Sequence, residues 1–169
     1  EEFIDLGGVQ ILAKLMNQVK GNVQAYLLQS LRTVLTFVSA MDIISNSPET
    51  VEEIWKLIDV EDSEEAQNFM LYKKSLELLI VFVSYLDNGY ELILSTASSA
   101  GTPFGNLVVL LKADDLDVQV NALMLMNVLI NKSPTEPDKT KLIFSWTVAG
   151  VIKYLENMGC IEYPAIKSQ

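Results

Sequence analysis

The hydrophobic positions of this chain follow one helical pattern that occurs three times. Segments 28–35, 76–83 and 123–130 align without gaps, and their first leucines lie 48 and then 47 residues apart. The apolar residues of these segments belong to windows with the spacing of an α-helix. A single unit of this kind cannot bury its apolar face alone. The repeat therefore predicts helical units that stack on one another.

Each unit is predicted to hold a short helix followed by a longer one. In the first unit, an apolar stripe predicts a short helix over 9–17, and apolar residues around most of the circumference predict a long helix over about 23–40. The second unit begins at Ser47 and Pro48, which are suited to the N-cap and to the first helical position. A third helix over 90–97 is expected to complete this unit.

Two apolar runs rich in β-branched residues, 81–83 and 107–111, also fit a β-strand. Both lie inside windows of 15 or more residues with helical spacing. The length of the surrounding pattern decides between helix and strand for such short runs. The sequence therefore favours helices throughout.

A helical period of roughly 40–47 residues is typical of armadillo and HEAT solenoids. We therefore expect an all-α, armadillo/HEAT-like, right-handed helical solenoid that forms a single domain over residues 1–169. The predicted units span about 7–46, 47–101 and 102–137, followed by a partial unit over 138–158. The acidic stretch 59–67 is expected to be a loop, and the tail 159–169 has no predicted role.

The charge balance restricts the class of partner. The chain has 12 Lys and Arg residues against 22 Asp and Glu residues, a formal net charge of -10. Such a chain repels phosphate backbones and anionic lipid headgroups and attracts basic partners. Its apolar stretches, such as 78–83, are also far shorter than the roughly 20 residues of a membrane helix. We expect no nucleic-acid partner and no membrane insertion.

The cysteine content and the N-terminus bear on the location of the protein. The single cysteine, Cys160, can form no intrachain disulfide, which favours a reducing compartment. The chain starts at Glu1 without an initiator Met or a signal segment, which indicates a piece cut from a longer polypeptide. We expect a cytoplasmic location.

The residue types that carry most enzyme chemistry are missing. The absence of histidine excludes imidazole bases, Ser-His-Asp triads and most catalytic zinc sites. No glycine-rich phosphate-binding motif is present. Paired carboxylates occur at 114–117 and 61–65, in predicted helix starts and loops, where they are expected to be solvated rather than catalytic. We expect no enzymatic activity, no cofactor and no metal.

One amide interrupts an apolar stretch near the middle of a long helix. Asn127 is flanked by Met126 and Val128, and a buried amide there needs hydrogen-bond partners. Either a neighbouring loop backbone satisfies it, or it faces a groove and binds a ligand. The aligned positions are Arg32 and Ile80, so the ladder of repeated Asn and Trp residues that holds nuclear-import signals is missing. An apolar groove with one amide suits an amphipathic helix better than an extended basic peptide.

These segments resemble a known family. Residues 123–134 are similar to the "LQLINALI" helix in the armadillo-repeat regulatory region of formins, which is also called the FH3 or diaphanous inhibitory domain. Residues 78–85 and 101–108 resemble the FHOD branch of that family. The similarity covers most of residues 21–157.

The resemblance implies a function. In formins this region binds the amphipathic C-terminal autoregulatory helix of the same protein and so inhibits the actin-assembling FH2 domain, and a Rho-family GTPase relieves the inhibition. Matched by motif, the partner-binding residues would be Ile80, Val81 and Ser84 on the second long helix and Met124 and Asn127 on the third. Actin would be reached only through the rest of the protein. Whether the solenoid pairs with a second copy stays open.

A second resemblance gives an alternative. Residues 3–12 are similar to the "EFINLDGISLL" segment of ELMO engulfment scaffolds. The armadillo region of that family binds small GTPases and takes part in the activation of Rac. The sequence allows either a formin or an ELMO scaffold as the full-length protein.

Overall fold

The computed structural model describes residues 2–59, 68–99 and 104–159. These residues form an all-α helical solenoid, which confirms the predicted fold class, and no strand occurs among them. The acidic stretch 60–67, Cys160 and the rest of the tail lie outside the described residues. In chain order the helices are α1 (Glu2–Asp5), α2 (Gly8–Met16), α3 (Asn22–Val34), α4 (Val38–Ser45), α5 (Pro48–Lys56), α6 (Phe69–Tyr85), α7 (Gly89–Ser99), α8 (Gly105–Leu110), α9 (Leu116–Lys132), α10 (Glu136–Val148) and α11 (Val151–Gly159).

The long helices α3, α6 and α9 contain the three aligned segments, apart from Leu35, which is the C-cap residue of α3, and they pack side by side in that order. Their repeated leucines are core residues: Leu28 and Leu76 are almost fully buried, and Leu123 is 8% exposed. The burial of apolar surface at these repeated positions is what stacks one unit on the next.

Helices α6 and α9 run parallel. Near their N-terminal ends the Asn121 side chain donates a 3.5 Å hydrogen bond to the backbone oxygen of Lys73. Near their C-terminal ends Lys132 Nζ donates a 3.1 Å hydrogen bond to the backbone oxygen of Ser84. Both contacts join residues 48 positions apart, so the two helices keep one register along their length.

Side-chain caps define the starts of several helices. Asn68 Oδ1 accepts a hydrogen bond from Leu71 N at 3.2 Å, and Asp115 Oδ1 accepts one from Val118 N at 3.0 Å. Each satisfies an amide at the helix N-terminus that has no partner within the helix. The predicted start of α5 at Pro48 is confirmed, although the Ser47 side chain makes no capping hydrogen bond.

The prediction of one long helix over 23–40 is wrong. Helix α3 ends at Val34 and α4 begins at Val38, and the two helices meet at an angle of 110°. The Thr36 hydroxyl and amide both donate to the backbone oxygen of Thr33, which ends the regular helical ladder. The hydrophobic pattern continues through the break because Leu35 and Ala40 are both buried.

The segment 138–157 contains two helices, α10 and α11, separated by Gly150. Gly150 has a φ of 91°, a left-handed conformation that only glycine adopts readily. By order along the chain, α10 follows α9 as α4 follows α3 and α7 follows α6. The limits of the repeat units stay a prediction.

An aromatic row connects three helical regions. Phe104, the N-cap residue of α8, packs edge to face with Trp55 of α5 and with Trp146 of α10, and both pairs of ring centroids are 5.9 Å apart. All three side chains are buried. Phe104 has a φ of 59°, a conformation uncommon for residues with a side chain, so its packing holds the backbone there against steric strain.

The last two helices carry an uncovered apolar face. It consists of Ile143, Phe144, Val148, Ile152 and Leu155, all at least 40% exposed. The residues 47 positions before Ile143, Phe144 and Leu155 are Thr96, Ala97 and Val108, which are all buried. Three of the five exposed side chains thus stand at positions whose counterparts 47 residues earlier are buried.

Candidate protein-binding surface

The five residues matched by motif lie on two adjacent helices. Ile80, Val81 and Ser84 are on α6, and Met124 and Asn127 are on α9. All five side chains are half-buried. Such side chains pack against the solenoid and still present part of their surface to a partner. We call them the α6–α9 surface.

The register of α6 and α9 places these residues at similar positions along the two helix axes. Because residues 48 positions apart lie side by side, Asn127 is level with Leu79 and Met124 is level with Leu76. From Met124 to Ser84 the surface therefore extends over about 12 Å at a helical rise of 1.5 Å per residue. Two turns of a partner helix would cover it.

The opposite sides of the same helices form the core. Leu79 and Phe82 of α6 and Leu125 and Leu129 of α9 are fully buried. Interiors of this kind are close-packed and resist deformation. The α6–α9 surface therefore has a rigid base.

Ion pairs border this surface, a feature that the sequence reasoning missed. Arg32 Nη1 of α3 donates a 2.8 Å hydrogen bond to Glu77 Oε2 of α6, and Lys74 lies 3.3 Å from the same carboxylate oxygen. Lys73 forms a further ion pair with Asp117 of α9. The hydrogen bond from Lys73 to Asp117 raises the pKa of the lysine. The surface is thus an apolar strip beside charged groups rather than a wholly apolar groove.

Asn127 is half-buried and makes an interaction within the chain. Its amide is therefore not an orphaned polar group. The side chain also keeps accessible surface, so it can still contribute to binding.

The carboxylates at 114–117 have structural roles. Asp115 caps α9, and Asp117 is half-exposed and pairs with Lys73. These two carboxylates thus stabilise the start of α9 and its contact with α6. Among the residues that the structure describes, no group of three or more acidic or thiol side chains could hold a metal ion.

None of the described helices alone has both the length and the apolarity to cross a bilayer. Helices α3 and α4 satisfy the criteria only as a bent pair, and only by length and composition.

Comparison with known proteins identifies the class of solenoid. The family model described as the FHOD1/3 FH3 domain matches residues 21–154. The chain therefore belongs to the FHOD1/3 FH3 domain family. This match confirms the resemblance to the formin regulatory region and supports a regulatory module of a formin.

Individual relatives agree with this assignment. Formin-G of Dictyostelium discoideum is 31% identical over the whole of this chain, which covers 16% of that protein. Human FH1/FH2 domain-containing protein 3 is 26% identical over 94% of the chain, which covers 11% of that protein. ELMO domain-containing protein A of Dictyostelium discoideum is 25% identical over 79% of the chain and 14% of its own length. The chain thus spans a small part of each of these relatives.

Proposed function

We propose that this chain is the regulatory protein-binding module of a formin-like actin nucleator. In this proposal the α6–α9 surface binds the C-terminal autoregulatory helix of the same polypeptide and so inhibits actin assembly. A Rho-family GTPase releases the helix by binding to a linked surface. The module acts by binding and has no catalytic role, and its place is the cytoplasm, next to the actin cytoskeleton.

The observation that carries the proposal is the apolar strip of Ile80, Val81 and Met124 over a rigid base. An amphipathic helix binds by placing apolar residues spaced three or four apart into such a strip. The strip covers two helical turns, which is enough for two or three of these residues. The Arg32–Glu77 pair beside it can set the direction of the bound helix through the polar residues of that helix.

The net charge of -10 is consistent with a basic partner. A basic segment next to the autoregulatory helix would be attracted over about 10 Å at 0.1 M salt, which raises the association rate. We therefore expect that higher salt weakens binding mainly by slowing association.

The test is a titration of the chain with the fluorescently labelled autoregulatory peptide of its parent protein, at 50 mM and 200 mM salt. Saturable binding that weakens with salt supports the proposal. A peptide with the same composition in scrambled order is the control, because it keeps the charge and loses the apolar face. Equal binding of the two peptides, or no binding at 50 mM salt, would reject the formin mechanism.

A second candidate function rests on the match to ELMO domain-containing protein A. In that case the module would be a scaffold that binds small GTPases in Rac activation. A GTP-loaded small GTPase would then bind the chain, and the autoregulatory peptide would not. A GTPase that displaces the bound peptide would instead support the formin mechanism.

A further inference from the structure

A pocket of about 460 Å³ lies where the bend between α3 and α4 meets the C-terminal end of α6. Its walls include Phe37, Val38 and Met41 from the bend and α4, and Val81 and Tyr85 from α6. We call it the bend pocket. It shares only Val81 with the α6–α9 surface.

The rim of the bend pocket exposes large apolar side chains to solvent. Phe37 is 48% exposed, Val38 77% and Tyr85 78%. Single exposed apolar residues are common on proteins, but a cluster around one concavity is typical of an interaction site. The volume of the pocket lies within the range of ligand-binding clefts.

The walls of the pocket are held in place. Ser45 Oγ donates a 2.7 Å hydrogen bond to Asn88 Oδ1, and Asn88 Nδ2 donates a 2.8 Å hydrogen bond to Ser45 O. This exchange ties the end of α4 to the loop after α6. Gly89 approaches α6 so closely that a Cβ there would overlap with Phe82 O. The pocket is therefore formed before any partner arrives.

The charged side chains that line the pocket have one sign. The charged residues among its walls are Asp42 and Asp87, and no lysine or arginine is among them. Leu35 and Leu86, the C-cap residues of α3 and α6, also line it. The carbonyl end of α3 adds partial negative charge, which favours a cation nearby, whereas at the end of α6 Lys132 Nζ already donates to the backbone oxygen of Ser84.

We propose that the bend pocket is a second docking site, which receives one large apolar side chain of a protein segment whose neighbouring residues are Lys or Arg. The apolar side chain lies in the cavity between Phe37 and Tyr85 and occupies part of its volume, and the basic neighbours lie against Asp42 and Asp87. This site goes beyond the function proposed above, because it does not require the α6–α9 surface or an autoregulatory helix.

The test is a selection of random 12-residue peptides displayed on phage against the full chain. Peptides that also bind the Val38→Glu/Tyr85→Glu double variant are removed. The enriched peptides are expected to carry Leu, Phe or Trp next to Lys or Arg. No enrichment, or enrichment of acidic peptides, would overturn the proposal.

One enriched peptide is then synthesised and labelled, and its affinity for variants of the chain locates the site. We expect at least about tenfold weaker binding to Tyr85→Glu and to Asp42→Lys/Asp87→Lys, because the first puts a charge on the apolar rim and the second reverses the local charge. The matched control is Met124→Glu, on the α6–α9 surface alone, which should keep wild-type affinity. Loss of binding in Met124→Glu together with unchanged binding in Tyr85→Glu would contradict the assignment. Self-association of the chain that disappears in Val38→Glu would assign the pocket to a second copy and also overturn it.

Discussion

The indole ring of Trp55 and the phenyl ring of Phe104 meet edge to face, with centroids 5.9 Å apart and planes at 80°. This contact joins α5 to the start of α8, and Trp146 of α10 repeats its geometry on the other side of Phe104. Edge-to-face pairs add about 0.5–1.5 kcal/mol to the effect of burial. Phe104 therefore links three regions of the stack through one side chain.

The first prediction concerns this residue. Phe104→Ala should lower the free energy of unfolding by about 3–5 kcal/mol, because it leaves a cavity between two indole rings and keeps the strained positive φ. Chemical denaturation followed by circular dichroism measures the change. The matched control is Phe144→Ala, whose side chain is 68% exposed and should cost less than about 0.5 kcal/mol.

Equal effects of the two substitutions would contradict this role of Phe104. If Phe104→Ala does not fold, the free energy of unfolding is measured for Phe104→Leu instead. This substitution removes the aromatic contacts and fills most of the volume, so a smaller loss of stability, about 1–2 kcal/mol, is expected.

The second prediction compares two buried serines. Ser75 in α6 is fully buried and its hydroxyl has no hydrogen-bond partner, whereas the Ser133 hydroxyl donates a 2.9 Å hydrogen bond to Leu129 O. Ser75→Ala should raise the free energy of unfolding by about 1 kcal/mol, because it removes an unpaired polar group. Ser133→Ala should lower it by about 1 kcal/mol. Denaturant unfolding of both variants measures these changes in the free energy of unfolding. Changes of the same sign would show that the two hydroxyls do not differ in this way.

The third prediction concerns the α6–α9 surface. Val81→Asp and Asn127→Asp should each weaken binding of the autoregulatory peptide by at least about tenfold, because each puts a carboxylate against its apolar face. Thermal melts should show that both variants still fold. Ile152→Asp, on the exposed face of α11, is the control that should bind as the wild type does. Since Val81 also lines the bend pocket, Asn127→Asp decides whether the α6–α9 surface is correctly placed.

The fourth prediction concerns stability at alkaline pH. Burial raises the pKa of the Tyr72 phenol, and the hydrogen bond with Asp117 raises the pKa of Lys73. The folded protein then keeps protons that the unfolded chain releases above about pH 10. Both contributions to stability are complete below that pH and are lost as the pH rises through the folded-state pKa values.

Tyr72→Phe should therefore reduce the fall in melting temperature between pH 9 and pH 11. Lys73→Met should act in the same direction, and neither variant should alter how stability depends on pH between 6 and 8. If the melting temperatures of Tyr72→Phe and the wild type fall by the same amount between pH 9 and pH 11, the Tyr72 phenol does not contribute to the alkaline loss of stability.

The stacking of the long helices could be predicted because the responsible side chains are apolar and repeat in the sequence. Leu28, Leu76 and Leu123 mark the core-facing side of each long helix without any structural information. The bend after Val34 could not be predicted in this way, since Leu35 and Ala40 are buried on either side of it and the apolar pattern does not change. Only the Thr36 hydroxyl, which bonds back to Thr33, distinguishes this position, and threonine occurs within regular helices as well.

The candidate surfaces, too, could be predicted only in part from the sequence. The sequence places Ile80, Val81 and Met124 on neighbouring helices, because helical periodicity determines which side chains share a face. The ion pair between Arg32 and Glu77 depends on how α3 lies against α6, and no local pattern contains that information. The bend pocket also could not be predicted from the sequence, since it exists only where α3 and α4 meet at an angle of 110°.

The open apolar face of α10 and α11 has a consequence for protein engineering. Its five side chains offer exposed apolar area against which an added helical unit could pack. A designed cap or a grafted duplicate of an internal repeat could be attached there with the spacing that the chain already uses. The reach of such an extended array would then be set by the number of modules added.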